Sequence, residues 1–160
     1  MGYIGLPTAS VFASKGLQVT GVDTNASIID GLKAGKPHIF EPGLRDLLLD
    51  ALKSDRLQIS DMVVPADAFI IAVPTPFYED KRADLRAVVA ASESIVPHLQ
   101  PGNLVILEST SPPRTTVDIV APILEKSGLT AGIDFLLAHS PERVLPGKTL
   151  RELVDNPRVI

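Results

Sequence analysis

Cysteine is missing from the 160 residues. That excludes a disulfide framework, a thiolate metal site and a thiol nucleophile within the chain. No stretch approaches the roughly 18 consecutive apolar residues of a membrane-spanning helix. No basic run stands out, and the net charge is −4, which argues against a nucleic acid or an anionic membrane as partner. The N-terminus has no basic segment followed by an apolar one, so no secretory signal is read and a cytoplasmic location is expected. His38, His98 and His139 are widely separated and form no H-x-x-x-H pair, so no metal site is expected. What is present is the composition of one globular domain, 45% hydrophobic and 21% charged. Mild acidity does not bar an anionic cofactor, because backbone N–H groups and a helix dipole bind anions locally.

Helical and strand patterns alternate along the chain. Leu6, Ala9, Phe12 and Ala13 recur at helical spacing, and Gly16 stops that helix. Leu17–Val22 reads as a short buried strand. Asn25 is placed to cap a helix with Ile28, Ile29 and Leu32 on its inner face. A stripe from Leu44 to Leu52 follows the break at Gly35-Lys36-Pro37, and Leu57–Ser60 is a short strand. Ala68–Val73 is a continuous apolar run ended by Pro74-Thr75-Pro76, as in a parallel strand covered on both faces. Leu85 to Leu99 is helical, Leu104–Leu107 is a buried strand, and Pro113 opens a helix with Val117, Val120, Ala121 and Leu124 inward. Asp134–Ala138 is the last strand. The pattern predicts an α/β fold, a Rossmann-like doubly wound parallel sheet.

The opening residues carry the first motif. A dinucleotide fold needs G-x-G-x-x-G between its first strand and first helix, for a tight turn, close approach to the pyrophosphate and helix–strand packing. Gly2 and Gly5 fit the second and third glycines. Asp23 follows the next strand about 20 residues on, where a carboxylate accepts the adenosine ribose hydroxyls. The first glycine and first strand have no counterpart, so the sheet is expected to lack its first, central strand in the order 3-2-1-4-5-6. Its two neighbours would then lack ladder partners, at a cost on the order of 1–3 kcal/mol for each buried unpaired backbone group. The chain also stops on an apolar step at Val159-Ile160, and 1–160 is read as a truncated domain.

Asp23, Thr75, Thr110 and Glu142 each follow a predicted strand, and ligands in open parallel sheets bind beyond the carboxyl ends of strands. A carboxylate there serves as general base if burial raises its pKa. A threonine hydroxyl there donates to an oxyanion or orients a water. Plainer readings stand beside these. Glu142 also reads as a helix-start carboxylate, Thr110 as a cap for the helix near Pro113, and Thr75 as a turn former between prolines. Tyr3 reads as stacking near a cofactor or as an exposed terminal aromatic. Asp80–Arg82 reads as a solvated loop.

Together the motifs resemble the UDP-glucose/GDP-mannose dehydrogenase family over essentially the whole chain. The likeness rests on Gly2-Tyr3-Ile4-Gly5-Leu6-Pro7, Gly21-Val22-Asp23-Thr24-Asn25, Val73-Pro74-Thr75-Pro76, Glu108-Ser109-Thr110-Ser111-Pro112, Ser140-Pro141-Glu142-Arg143-Val144-Leu145-Pro146-Gly147 and Asn156-Pro157-Arg158-Val159-Ile160. The first two are generic to dinucleotide folds, and the rest are specific. The resemblance implies oxidation of the C6 hydroxyl of a nucleotide sugar to a carboxylate with two NAD⁺, through a thiohemiacetal and a thioester on a cysteine. That cysteine, with a catalytic Lys, Asn and Asp, belongs to a C-terminal half. A central helix and that substrate domain are therefore expected to be absent here, leaving the piece inactive alone. By resemblance, Gly2, Tyr3, Ile4 and Gly5 hold the pyrophosphate and Asp23 the ribose. Val73, Pro74 and Thr75 flank the cofactor, and Thr110 lies near the nicotinamide and the catalytic water. Glu142 acts on that water, and Arg143, Val144 and Leu145, with the following Pro146-Gly147, are substrate-side. Residues 141–160 favour an N-acetylmannosamine derivative, with glucose, N-acetylglucosamine and N-acetylgalactosamine left open. Relatives are homo-oligomers through the central helix, so this piece is expected to be monomeric or to associate nonspecifically. Two alternatives stay open: a non-catalytic NAD-binding module, and another Rossmann dehydrogenase such as a hydroxyacyl-CoA or 6-phosphogluconate enzyme. Neither accounts for the Glu108–Pro112 and Ser140–Gly147 motifs.

Overall fold

The structure, a computed structural model, describes residues 1–141, 144, 145 and 147–157. In chain order the regular elements are α1 (Gly5–Ser14), β1 (Val19–Val22), α2 (Ala26–Lys33), α3 (Leu44–Lys53), β2 (Leu57–Ser60), β3 (Ala68–Ile71), α4 (Arg86–Ile95), β4 (Leu104–Leu107), α5 (Ala121–Leu124), β5 (Leu136–His139) and α6 (Thr149–Asp155). Short 3₁₀ turns follow α4 at Val96–His98 and α5 at Glu125–Ser127, and a π-helical turn, Thr116–Val120, precedes α5.

The strands form two parallel sheets, ordered β1-β2 and β3-β4-β5. These are the orders left when strand 1 is taken out of 3-2-1-4-5-6. The two strands that flank strand 1 in that order, β1 and β3, each pair on one side only among the described residues. The chain divides accordingly into two compact units. One takes in Met1–Val63 and the described residues of 143–157, the other the described residues of 64–142.

In the first unit Val19 pairs with Leu57 and Val22 with Ser60. Leu6, Ala9, Leu32, Leu44, Leu48 and Leu57 are core residues here, with Leu150 of α6 packed against them. The Asn25 side chain accepts the Ser27 and Ile28 N–H groups at 3.0 and 3.3 Å, the cap that opens α2. Gly35 ends that helix at φ 69°, a conformation that strains residues with a Cβ, and a Cβ there would press on the Leu49 side chain.

In the second unit Ala68 pairs with Leu104 and Leu104 with Leu136. Val105 and Leu107 of the middle strand are fully buried. The helix after Pro113 departs from expectation. Val120 and Leu124 are buried, but Val117 is 62% exposed. The π-turn adds a residue to the first turn and rotates Val117 off the inward stripe. The strand expected at Asp134–Ala138 is shifted to Leu136–His139, and that expected at Ala68–Val73 stops at Ile71.

Candidate cofactor and catalytic site

At the head of the first unit, Leu6 N–H donates to Gly2 O at 3.1 Å and Thr8 N–H to Ile4 O at 3.0 Å. No side chain caps α1, and its first turn holds no acidic residue. Leu6 N–H is thus engaged and Pro7 has none, so among the first-turn groups the Gly5 N–H, with the helix dipole, is left to an outside anion. A Cβ built on Gly2 meets nothing within 4 Å, so space is open at the turn. Tyr3 is half exposed. These features fit a dinucleotide pyrophosphate.

Asp23 stands directly after β1, and its N–H continues the ladder to Ser60 O at 3.1 Å. Its Oδ1 accepts Asn25 N–H at 2.9 Å, and its Oδ2 takes the Met1 ammonium at 2.6 Å. Burial raises the Asp23 pKa, but the Met1 ammonium and the Asn25 amide outweigh it and hold the carboxyl below its usual value. An ionised, oriented acceptor is what a ribose diol requires, and its negative charge disfavours a 2′-phosphate.

The second unit gathers the polar residues that follow β3 and β4. Ser109, buried, accepts Val73 N–H at 3.1 Å, and its hydroxyl lies 2.9 Å from Val73 O and 3.2 Å from Ile71 O. It has one proton to give and so serves one of those carbonyls at a time. The Thr75 hydroxyl donates to Thr110 O, tying the two strand ends a second time. Thr110 itself is exposed. Its hydroxyl makes no hydrogen bond among the described residues, and no side chain caps the helical segment after it. Thr115 instead bonds back to Pro112 O at 2.7 Å. The capping role weighed for Thr110 is thus not observed, and its hydroxyl points free.

Beyond Thr75 the chain makes a small hairpin, with Phe77 opposite Ala83. Asp84 ends it, accepting Arg86 N–H at 3.1 Å and the Arg86 guanidinium at 2.6 to 3.0 Å. Pro74, Pro76, Asp84, Arg86 and Ala87 line an open depression of ≈ 270 Å³. Sequence reasoning missed Ser109 as a tie and Asp84–Arg86 altogether. Asp80 and Arg82 pair at 2.6 Å on the surface, as a solvated loop should. Glu142, Arg143 and Pro146 lie outside the described residues; Val144 is half-buried, Leu145 is 59% exposed and Gly147 is exposed. No cluster of three His, Asp or Glu side chains suited to a metal occurs among the described residues, and no helix there is long and apolar enough to cross a membrane.

The model of the UDP-glucose/GDP-mannose dehydrogenase family, NAD binding domain, matches residues 1–160. The chain belongs to this family. It corresponds to the family's NAD-binding domain, with a Rossmann-like α/β fold. The UDP-N-acetyl-D-mannosamine dehydrogenase of Methanococcus maripaludis is 46% identical over 164 residues, which cover 100% of this chain and 36% of that protein. An NDP-N-acetyl-D-galactosaminuronic acid dehydrogenase of Ralstonia solanacearum is 46% identical over 167 residues, covering 100% of this chain and 40% of that one. The native structure of the UDP-N-acetyl-mannosamine dehydrogenase from Staphylococcus aureus superposes with TM-score 0.94 at 48% identity, over 98% of this chain and 39% of that one. The chain therefore spans between about a third and two-fifths of the length of these family members.

Proposed function

We propose that this chain supplies the NAD-binding part of a nucleotide-sugar 6-dehydrogenase that converts UDP-N-acetylmannosamine to the uronate with two NAD⁺ per turnover. The observation that carries the reading is the uncapped, acid-free start of α1 with the Asp23 carboxylate directly after β1. Similarity to dehydrogenases named for UDP-N-acetylmannosamine supports the sugar.

In this reading Gly2, Tyr3, Ile4 and Gly5 face the pyrophosphate and Asp23 binds the adenosine ribose. Val73, Pro74 and Thr75 flank the cofactor, and the Thr110 hydroxyl, near the nicotinamide, orients the catalytic water. Glu142 positions or activates the hydrolytic water, and Arg143, Val144 and Leu145 face the sugar nucleotide. NAD supplies the hydride acceptor when bound; the residues named bind, orient and move protons. A soluble, cytoplasmic, homo-oligomeric enzyme fits the reading.

The test is NADH formation by the full-length protein with UDP-N-acetylmannosamine and UDP-N-acetylgalactosamine, beside NAD titration by calorimetry. Turnover with the first sugar, and NAD binding weakened roughly tenfold by Asp23→Ala, are expected. Preference for the galactosamine sugar would overturn the sugar assignment. NAD binding with no turnover on either sugar would favour a binding module.

A further inference from the structure

After β5 the chain returns to the first unit, and one buried carboxylate catches it there. Glu41, between α2 and α3, is 6% exposed. Its Oε2 accepts Gly147 N–H at 2.8 Å, and its Oε1 accepts Thr149 N–H at 2.7 Å. A buried carboxylate is costly unless hydrogen bonds replace its water, and both oxygens here take charge-assisted amide bonds. The partners are 106 and 108 residues away in sequence, so this contact shapes tertiary structure rather than a local turn.

The segment it holds is itself closed on Leu145. Gly147, at φ 86°, turns the backbone so that Lys148 N–H donates to Leu145 O at 3.0 Å. Thr149 Oγ1 donates to the same carbonyl at 3.3 Å, and Leu145 N–H donates to Glu152 Oε2 at 2.8 Å. Leu150 then packs against the first core. Fixing Gly147 and Thr149 therefore fixes Leu145.

We propose that Glu41 is a positioning residue for the Val144–Leu145 segment: it sets the affinity for the nucleotide sugar through that loop without touching sugar or NAD. The proposal rests on the nucleotide-sugar dehydrogenase reading. Glu41→Ala removes both acceptors. Glu41→Gln keeps one and turns an NH₂ toward an amide donor.

In the full-length protein, amide exchange by NMR is expected to speed up at Gly147 and Thr149 by roughly tenfold or more in Glu41→Ala. The KM for the sugar nucleotide is expected to rise about tenfold, with kcat and the KM for NAD changing less than about twofold, and Glu41→Gln falling between. Unchanged exchange at those two amides would overturn the clamp. A lowered Tm with both KM values unchanged, or rising together, would make Glu41 a stability residue and overturn the positioning role. A wild-type protein inactive on UDP-sugars sinks the dehydrogenase reading and the substrate role with it, while the exchange result still decides the clamp separately.

Discussion

Asp84 holds its charge through contacts that favour its ionised form. The Arg86 guanidinium first, and the Arg86 backbone N–H next, keep its carboxyl well below the usual carboxylate range. A depressed folded pKa stabilises the fold above the unfolded value, near 3.9, and that contribution is lost as pH falls through the folded value. Wild type is therefore expected to be more stable than Asp84→Asn from neutral pH down to about 4, with the two converging below. Urea midpoints across a pH series check this; a gap that stays constant in acid would rule Asp84 out as the titrating group. The sequence did not disclose this residue, because its function depends on the hairpin that brings Asp84 N–H to Pro76 O at 2.7 Å. Asp23 was legible because its motif is local: a strand, a carboxylate and a helix cap within a few residues. Ser109 and Glu41 were not, because their partners lie 36 and more than a hundred residues away.

Between elements, Ser109 joins the ends of β3 and β4. Ser109→Ala leaves the buried-side Val73 N–H without its acceptor and is expected to cost about 1–3 kcal/mol. That corresponds to a fall in Tm of about 2–4 °C per kcal/mol for a chain of this size. Calorimetry reads the loss, and Ser109→Thr, which keeps the hydroxyl, should recover much of it. No change in Tm for the alanine variant would mean that the tie contributes nothing. The next connection carries local strain. Arg114 sits at φ 69°, a region that disfavours residues with a Cβ, just before the π-turn. It is held by a surface ion pair with Asp118 at 2.7 Å, and such exposed pairs contribute little. Arg114→Gly is expected to leave Tm unchanged or raised, and a clear fall would show that the ion pair outweighs the backbone strain. Strands at Leu57–Ser60 and Leu104–Leu107 were legible to the residue because they are short apolar or alternating runs bounded by breakers. The π-turn was not, because an inserted helical residue leaves the apolar spacing of Val117, Val120 and Leu124 unaltered while turning Val117 to solvent.

Across the whole molecule, ladder pairing is uneven. β4 is hydrogen-bonded to β3 on one side and β5 on the other, whereas among the described residues β1 and β2 pair only with each other. Opening β4 must break two ladders and expose Val105 and Leu107, which are fully buried; opening β1 breaks one and exposes Val19 and Val22, which are already half-buried. Exchange protection follows the number of contacts that opening must break. The β4 amides are expected to exchange at least roughly tenfold more slowly than those of β1 under native conditions, measured residue by residue by NMR. Slow exchange confined to β4 and its immediate partners would place the most stable part of the chain in the second unit, beneath Thr75 and Thr110, leaving the Asp23 strand as the more easily opened one. Equal protection in β1 would require its second edge to be paired in solution. The expected order of opening would then be overturned, because one unpaired ladder edge cannot shield strand amides as two paired edges do.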